Sequence, residues 1–288
     1  MKLRGYLYTI LSVILFSFMT LIVKLITKTG NIPAVEVVFF RFIIGFLAIL
    51  ITKKVKNQKV NPVNKKALWA RAICNTLAVI FFFVTIELST ITKANIYNLT
   101  YPVFVALIAP FFLPERLNFK KFLAVLLALF GTYLVVGAKF GNLNMGDLVG
   151  ILSGLTAGFA IVSLKKARLT DDSFTILYYL MSIGTVITFF SFIWFFKIPN
   201  LYEFILLVSV GLVSFGGQYT ITYGMKYISA VESSILSSSR IFIATLLSVF
   251  ILGEILTINV LLGGTIIFIS IVLINILNSK KKVIKNDI

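Results

Sequence analysis

The sequence predicts an all-α polytopic membrane protein of ten transmembrane helices, arranged as two inverted five-helix repeats. Three observations lead there. The chain of 288 residues is 59% hydrophobic with 28 Phe, against ~45–50% apolar residues in an ordinary soluble domain. The apolar residues fall in blocks of about 20, the length that spans a bilayer core. The chain also resembles itself at a shift of about 140 residues, close to half its length.

The first apolar window covers 5–25. The opening "MKLRGYLYTILSVILFSFMTLIVKLI" begins like a signal peptide, but its apolar run exceeds a 7–15-residue h-region and no A-x-A site follows, which predicts an uncleaved first span. The second window, 34–52, carries Glu36 and Arg41 within "EVVFFRF". A polar, basic connector, "TKKVKNQKVNPVNKK", leads to the third at 68–86, which holds Arg71, Cys74 and the triple Phe81–Phe83. The triplet is read as facing lipid or core. The fourth window, 94–113, reads "TKANIYNLTYPVFVALIAPFF" from Thr92 onward. Pro102 cannot donate to the Asn98 carbonyl, nor Pro110 to that of Ala106, so a kinked helix is expected. Asn95, Asn98 and Tyr101 share one face of it at i, i+3 spacing. They suit a cavity wall or hydrogen bonding between helices.

A fifth window at 121–138 closes the first half. The sixth, 147–164, places Gly146, Gly150, Gly154 and Gly158 at four-residue spacing, a ridge that permits close helix packing. Windows at 173–195 and 203–224 follow, the latter with Gln218, Tyr219 and Tyr223. The ninth, 231–252, has Arg240 near its middle after a run of serines, and the tenth covers 258–278. Connectors are short, and none has room for a soluble domain.

Charge orients the array. With the N-terminus in the cytoplasm, 19 Lys and Arg fall in inside segments and 4 in outside connectors (Lys28, Lys93, Lys139 and Lys197). That bias puts both termini inside and gives the net charge of +17 a bland cause: basic cytoplasmic loops rather than nucleic-acid binding.

The internal similarity rests on two matches. Gly5-x-Leu7-x-x-Ile10-Leu11-Ser12 pairs with Gly146-x-Leu148-x-x-Ile151-Leu152-Ser153, and Phe111-x-Leu113-x-Glu115-x-Leu117 with Phe250-x-Leu252-x-Glu254-x-Leu256. The halves 1–139 and 140–288 then hold five spans each, and an odd number inverts the second copy. That architecture marks secondary transporters with a site near the midplane.

Two five-helix halves whose fourth helices end in "LPERL" and "LGEIL", with "EVVFFRF" in the second helix, resemble the EamA-type family of the drug/metabolite transporter superfamily. The resemblance implies that helices 1–4 and 6–9 of such a carrier surround a central cavity, with helices 5 and 10 outside. Small multidrug exporters of that superfamily depend on a first-helix glutamate. This first helix has Ser12, Ser17 and Thr20 and no acid, which argues against proton-coupled export of lipophilic cations.

The repeat aligns Asn95, Asn98 and Tyr101 with Ser234, Ser237 and Arg240. Arg240 is about 12 Å along the helix from Glu232 and about 21 Å from Glu254 at ~1.5 Å per residue. On a lipid face it would cost ~2.5–3.5 kcal/mol, so a hydrated cavity is expected, unless it only ties helices together. Arg41, about 8 Å inward from Glu36, sits in the outer half. The predicted substrate-binding set is Arg41, Asn95, Asn98, Tyr101, Gln218, Tyr219, Ser234, Ser237 and Arg240. Two cations among amides, hydroxyls and tyrosines suit an amino acid or another carboxylate-bearing compound with an apolar body.

The expected activity is that of a secondary carrier working by alternating access in the plasma (inner) membrane, sufficient as a monomer because both halves are in one chain. The small molecule and the lipid bilayer are its expected partners, with no nucleic acid and no cofactor. A carrier for a nucleoside-type metabolite such as S-adenosylmethionine is the alternative. A membrane-embedded transferase is the rival of another class, disfavoured because the chain has no His and pairs Asp171–Asp172 with no second acidic cluster. No metal site or filter-like re-entrant segment is expected. Glu115 and Glu254 are expected to cap the helices that follow them, or to act in gating.

Overall fold

The computed structural model describes the main chain of residues 2–89, 91–115, 118–136, 144–253 and 255–286, and their side chains except at 87, 91, 92 and 274–286. The described chain is helical throughout: α1 (Lys2–Thr29), α2 (Ala34–Val55), α3 (Lys65–Leu88), α4 (Ile91–Asn98), α5 (Tyr101–Phe112), α6 (Phe119–Val136), α7 (Met145–Ala167), α8 (Ser173–Phe195), α9 (Leu201–Gly224), α10 (Ala230–Leu252) and α11 (Ile258–Asn286). Among the described residues eight stretches are long and apolar enough to cross a membrane, α4 and α5 counting as one, Lys93–Phe112. In α11 the apolar stretch Ile258–Leu273 is shorter. The repeat boundary at 139/140 lies outside the described residues.

The fourth crossing breaks between α4 and α5, where Leu99 and Thr100 form a turn. The break falls where Pro102 deprives Asn98 of a helical donor. The chain answers with a short-range bond, Thr100 N–H to the Tyr97 carbonyl at 3.2 Å, and the Thr100 hydroxyl donates to the same oxygen at 2.6 Å. Pro110, by contrast, is carried inside α5.

The glycine ridge of α7 receives this broken crossing. A methyl group on Gly146 would meet Leu88 and Ser89, on Gly150 Tyr97, on Gly154 Thr100, and on Gly158 Phe104. The ridge is a packing device, as its spacing predicts. The two repeat motifs end their helices differently. Pro114 follows α5 and cannot continue it, whereas Gly253 takes φ 67° and caps α10 in the left-handed region that favours glycine.

The main packing pairs are α3 with α7, α1 with α9, α6 with α11, and α2 with α8. If the fourth crossing is counted once, these map onto one another when the halves exchange. The first two pairs swap, and each of the other two joins corresponding helices. Gly131 of α6 and Gly263 of α11 face each other's carbonyl oxygens.

Side-chain clamps sort the connectors into two ends. At the N-terminal end, Lys2 Nζ and the Tyr6 hydroxyl donate to Glu232 at 3.2 and 3.1 Å. There Asp171 accepts from the Val63 and Asn64 N–H groups at 2.8 and 3.1 Å, and Lys165 Nζ donates to the Met225 and Ile228 carbonyls. At the opposite end, Glu36 accepts from the Lys197 N–H at 3.1 Å, and Lys93 pairs with Asp147 at 3.0 Å. The inside segments that these clamps touch, at Lys2, at 63–64, at Lys165 and at 225–228, fall at the first end.

Glu115 does act as a cap, but not of the following helix. Its Oε1 accepts from the N–H of Ala230, the first residue of α10, at 2.8 Å. Asn118 serves α6 instead, accepting from Lys120 N–H at 2.8 Å. Helix α10 starts beside the end of α5, which brings its first N–H group to the carboxylate. Glu254 lies outside the described residues.

Candidate substrate site

Phe16 sits near the middle of α1 and is 8% exposed. On one side of its ring lies the Arg41 guanidinium of α2, with Cζ 5.8 Å from the centroid; Arg240 of α10 lies 6.0 Å from the same centroid. The two cations are therefore no farther apart than the sum of those distances. Each acts electrostatically on its neighbours: Arg240 on Arg41, and Arg41 in turn on Arg71 of α3. Arg41 and Arg240 both keep intermediate exposure. Arg71 is 2% exposed.

Guanidinium groups stay charged in proteins. Among the described residues, no carboxylate lies within ion-pair distance of Arg41, Arg71 or Arg240. Apart from one another, their neighbours named below are neutral. The Ser17 hydroxyl donates to the Arg240 carbonyl at 3.0 Å, which fixes α1 against α10. Tyr101 is buried, lies within electrostatic range of Arg240, and donates to the Ser234 carbonyl at 3.3 Å. Ser237 lies beside the same phenol. Tyr101 and Arg240, which the repeat aligns, thus lie within electrostatic range of each other.

The rest of the predicted set divides. Gln218 of α9 is 5% exposed and accepts from Arg71 Nη2 at 2.9 Å, so it joins the cation cluster through a residue that sequence reasoning left out. Asn98 donates to Ser153 of α7 at 2.8 Å, and Ser153 donates on to the Ala78 carbonyl at 2.8 Å. Its amide links helices. Asn95 precedes it on α4 with intermediate exposure and is not without a partner. Ser234 turns its own hydroxyl back to the Val231 carbonyl at 2.8 Å. Tyr219 is 42% exposed and stands on another wall. It stacks on Tyr223 at 6.2 Å and lines a cavity of about 740 Å³ with Leu15, Phe215, Arg168 and Asp171 at the N-terminal end of the bundle.

Phe16 and Arg71 are the residues the sequence reading missed. Arg71 carried a signal, a buried-span arginine four residues before Asn75 on one face of α3. Phe16 carried none among so many phenylalanines. Asp171 and Asp172 prove structural: besides the clamp above, Asp172 caps α8 by accepting from Thr175 N–H at 2.6 Å.

Comparisons with known proteins agree with this architecture. The EamA-like transporter family matches the chain twice, over residues 3–137 and 144–276. The chain is similar to the pseudopaline exporter CntI of Pseudomonas aeruginosa, at 27% identity over 78% of this chain and 80% of that one. It is also similar to an uncharacterized transporter of Archaeoglobus fulgidus, 27% identical over 83% and 85% of the two chains. Mouse solute carrier family 35 member G1 is 26% identical over 83% of this chain and 69% of its own. A solved crystal structure superposes with a TM-score of 0.83 at 18% identity, covering 96% of this chain and 98% of that one, which shows a shared fold.

Proposed function

The chain belongs to the EamA-like transporter family, and from that premise we propose that it is a secondary carrier for a small organic metabolite bearing a carboxylate or another anionic group. The observation that carries the reading is the Arg41–Phe16–Arg240 arrangement: two cations and an aromatic face at mid-bundle, with no acid beside them among the described residues. An anion with an apolar body would place its charge between the guanidiniums, where bidentate hydrogen bonds are available. Its body would lie along Phe16 and Tyr101. A sulfonium cation such as S-adenosylmethionine would meet repulsion there, so the nucleoside-type alternative is the weaker one.

Alternating access supplies the mechanism. The exchange-related packing pairs and the doubled family match support two repeats. The sorting of connectors into two ends supports opposite orientation of those repeats. The break between α4 and α5 beside the site, of a kind seen in transporter binding sites, gives the fourth crossing a place to bend. One half rocks against the other around the arginines. The basic end of the bundle faces the cytoplasm, so both termini lie on the cytoplasmic side of the plasma membrane. One chain carries both halves, so a monomer suffices. The relatives are named as transporters, which supports a carrier over a transferase.

The test begins with a thermal-stabilisation screen of purified protein across amino acids, nucleosides and organic acids, followed by counterflow of the stabilising compound in proteoliposomes. Arg240→Ala should abolish counterflow with its melting temperature near wild type, and Arg240→Lys should keep part of it. Normal transport by the alanine variant would refute the assignment. Covalent change of the compound would point to the transferase.

A further inference from the structure

We infer that Arg71, Asn75 and Gln218 form a second anion subsite, so that the cargo carries two anionic groups, one held by Arg41 and Arg240 and the other by Arg71. This rests on the anionic-cargo reading above and goes one step past it. The cluster is built. Arg71 is 2% exposed and Gln218 is 5% exposed, and their side chains are joined at 2.9 Å. Yet the join uses only part of the guanidinium. Arg71 Nε is buried without a hydrogen-bond partner, and so is Nδ2 of Asn75, one turn further along the same face of α3. Leaving a buried donor unmade costs ~1–3 kcal/mol, more on a charged group.

Both unpartnered atoms are donors, and donors on a cation ask for an acceptor that carries negative charge. A purely structural arginine would be served by backbone carbonyls, as Arg168 is by Thr222 and Asp171. The depth also fits. Arg71 is 6 residues into α3 and Gln218 is 6 residues from the end of α9, about 9 Å from the N-terminal end at ~1.5 Å per residue. Arg240, 10 residues into α10, is about 15 Å from that end. The two subsites therefore lie at different depths, in line with an elongated molecule. The second anionic group could instead be a separate small ion, and the same donors would take it.

The experiment uses the full chain in nanodiscs, with binding read by calorimetry and thermal shift. The probes are α,ω-dicarboxylates from succinate to suberate, the monocarboxylates of equal length, and each monocarboxylate again with chloride or phosphate added. One dicarboxylate length should bind about 10–100-fold more tightly than its monocarboxylate, the value of one charge-assisted contact. Arg71→Gln should bring that dicarboxylate down to the monocarboxylate level and leave the monocarboxylate unchanged. The ligand-free melting temperature should stay at or above wild type, because a repelling charge has gone. Asn75→Leu, which removes an atom the fold does not pair, should weaken the dicarboxylate about tenfold. If an added inorganic anion brings the monocarboxylate up to the dicarboxylate, and Arg71→Gln abolishes that gain, the subsite stands with a free ion as its occupant. Equal binding of mono- and dicarboxylates, unchanged in Arg71→Gln, overturns the second subsite while the anionic cargo stands. An Arg71→Gln variant that melts lower and binds as wild type makes the residue structural. Binding of neither series, with Arg240→Ala transporting normally, removes both readings.

Discussion

Replacing Gly154 by Ala tests whether the break in the fourth crossing is held in place by α7. A Cβ on Gly154 would come inside 3.0 Å of the Thr100 Oγ1 and of the Tyr97 carbonyl oxygen. Those two atoms make the 2.6 Å bond that closes the turn. A backbone oxygen cannot escape by changing rotamer, so α4 and α5 must move away from α7. Overpacking of this sort costs ~1–3 kcal/mol, and the upper end applies because the obstacle is main chain. Alanine returns ~1 kcal/mol of helix propensity, which leaves a net loss of about 2 kcal/mol. The shift also reaches Tyr101, whose bond to the Ser234 carbonyl is already long at 3.3 Å. Thermal unfolding in detergent should therefore show Gly154→Ala melting several degrees below wild type, with reduced counterflow. Gly216→Ala is the control: its Cβ meets nothing nearer than Leu15 Cδ1 at 3.3 Å, the mobile tip of a side chain, and it should be neutral or slightly stabilising. If Gly154→Ala melts and transports like wild type, α7 does not hold the break.

Asp171→Ala strands the Val63 and Asn64 N–H groups and should lower stability by about 3 kcal/mol, read by chemical denaturation, without changing ligand affinity in the surviving fold. Burial raises the Glu115 carboxyl, although the Ala230 N–H opposes the shift. The folded chain then holds that proton more tightly than the unfolded one. Its contribution is complete below the ordinary carboxyl range and is lost as pH rises through the folded value. Glu115→Gln should accordingly flatten the fall in melting temperature above about pH 4.3. A reporter fused to the C-terminus should score as cytoplasmic, and a periplasmic score would reject the orientation.

Hydropathy located the helices within a few residues, apart from the end of α11, which runs to Asn286 rather than 278, because a bilayer-length apolar run has few other uses. The break at Leu99–Thr100 was legible too, since Pro102 removes a donor at a known offset. The internal repeat aligns Tyr101 with Arg240 but does not place them together, and the meeting of Tyr101 with α10 rests on the Ser234 carbonyl. Other relations are set by rotation about a helix axis, which a uniformly apolar span does not encode. Asn98 could have faced the cavity or α7, and the partner that settles it, Ser153, lies 55 residues away. Tyr219 and Gln218 are neighbours in sequence and face different walls. Arg71 stands near the start of its span, and nothing in the sequence pairs it with Gln218.

The placement of acids supports the proposal that an anion binds at the centre. Glu36, Glu115, Asp147, Asp171, Asp172, Glu203 and Glu232 each accept backbone N–H groups at a helix start or a connector. Carboxylates there complement the positive ends of helices, and several clamp one half to the other. None of them reaches mid-bundle. Arg41 and Arg240, at most about 12 Å apart by their distances to Phe16, repel by at least ~1.4 kcal/mol at an effective dielectric of ~20. Desolvation adds several kcal/mol per ion. A glutamate in place of Ser237 would relieve that cost with one substitution in a helix already rich in polar residues. A chain that spends its carboxylates on the ends and keeps its guanidiniums in the middle is stabilised when an anion arrives between them. By mass action, a ligand at 100 times its Kd would contribute about 2.7 kcal/mol, more than that minimum repulsion. Carboxylate-bearing cargo should therefore raise the melting temperature of the wild type, and should do so less for Arg240→Ala than for Arg240→Lys. Equal protection of the two variants would mean that the charge at position 240 contributes nothing to binding.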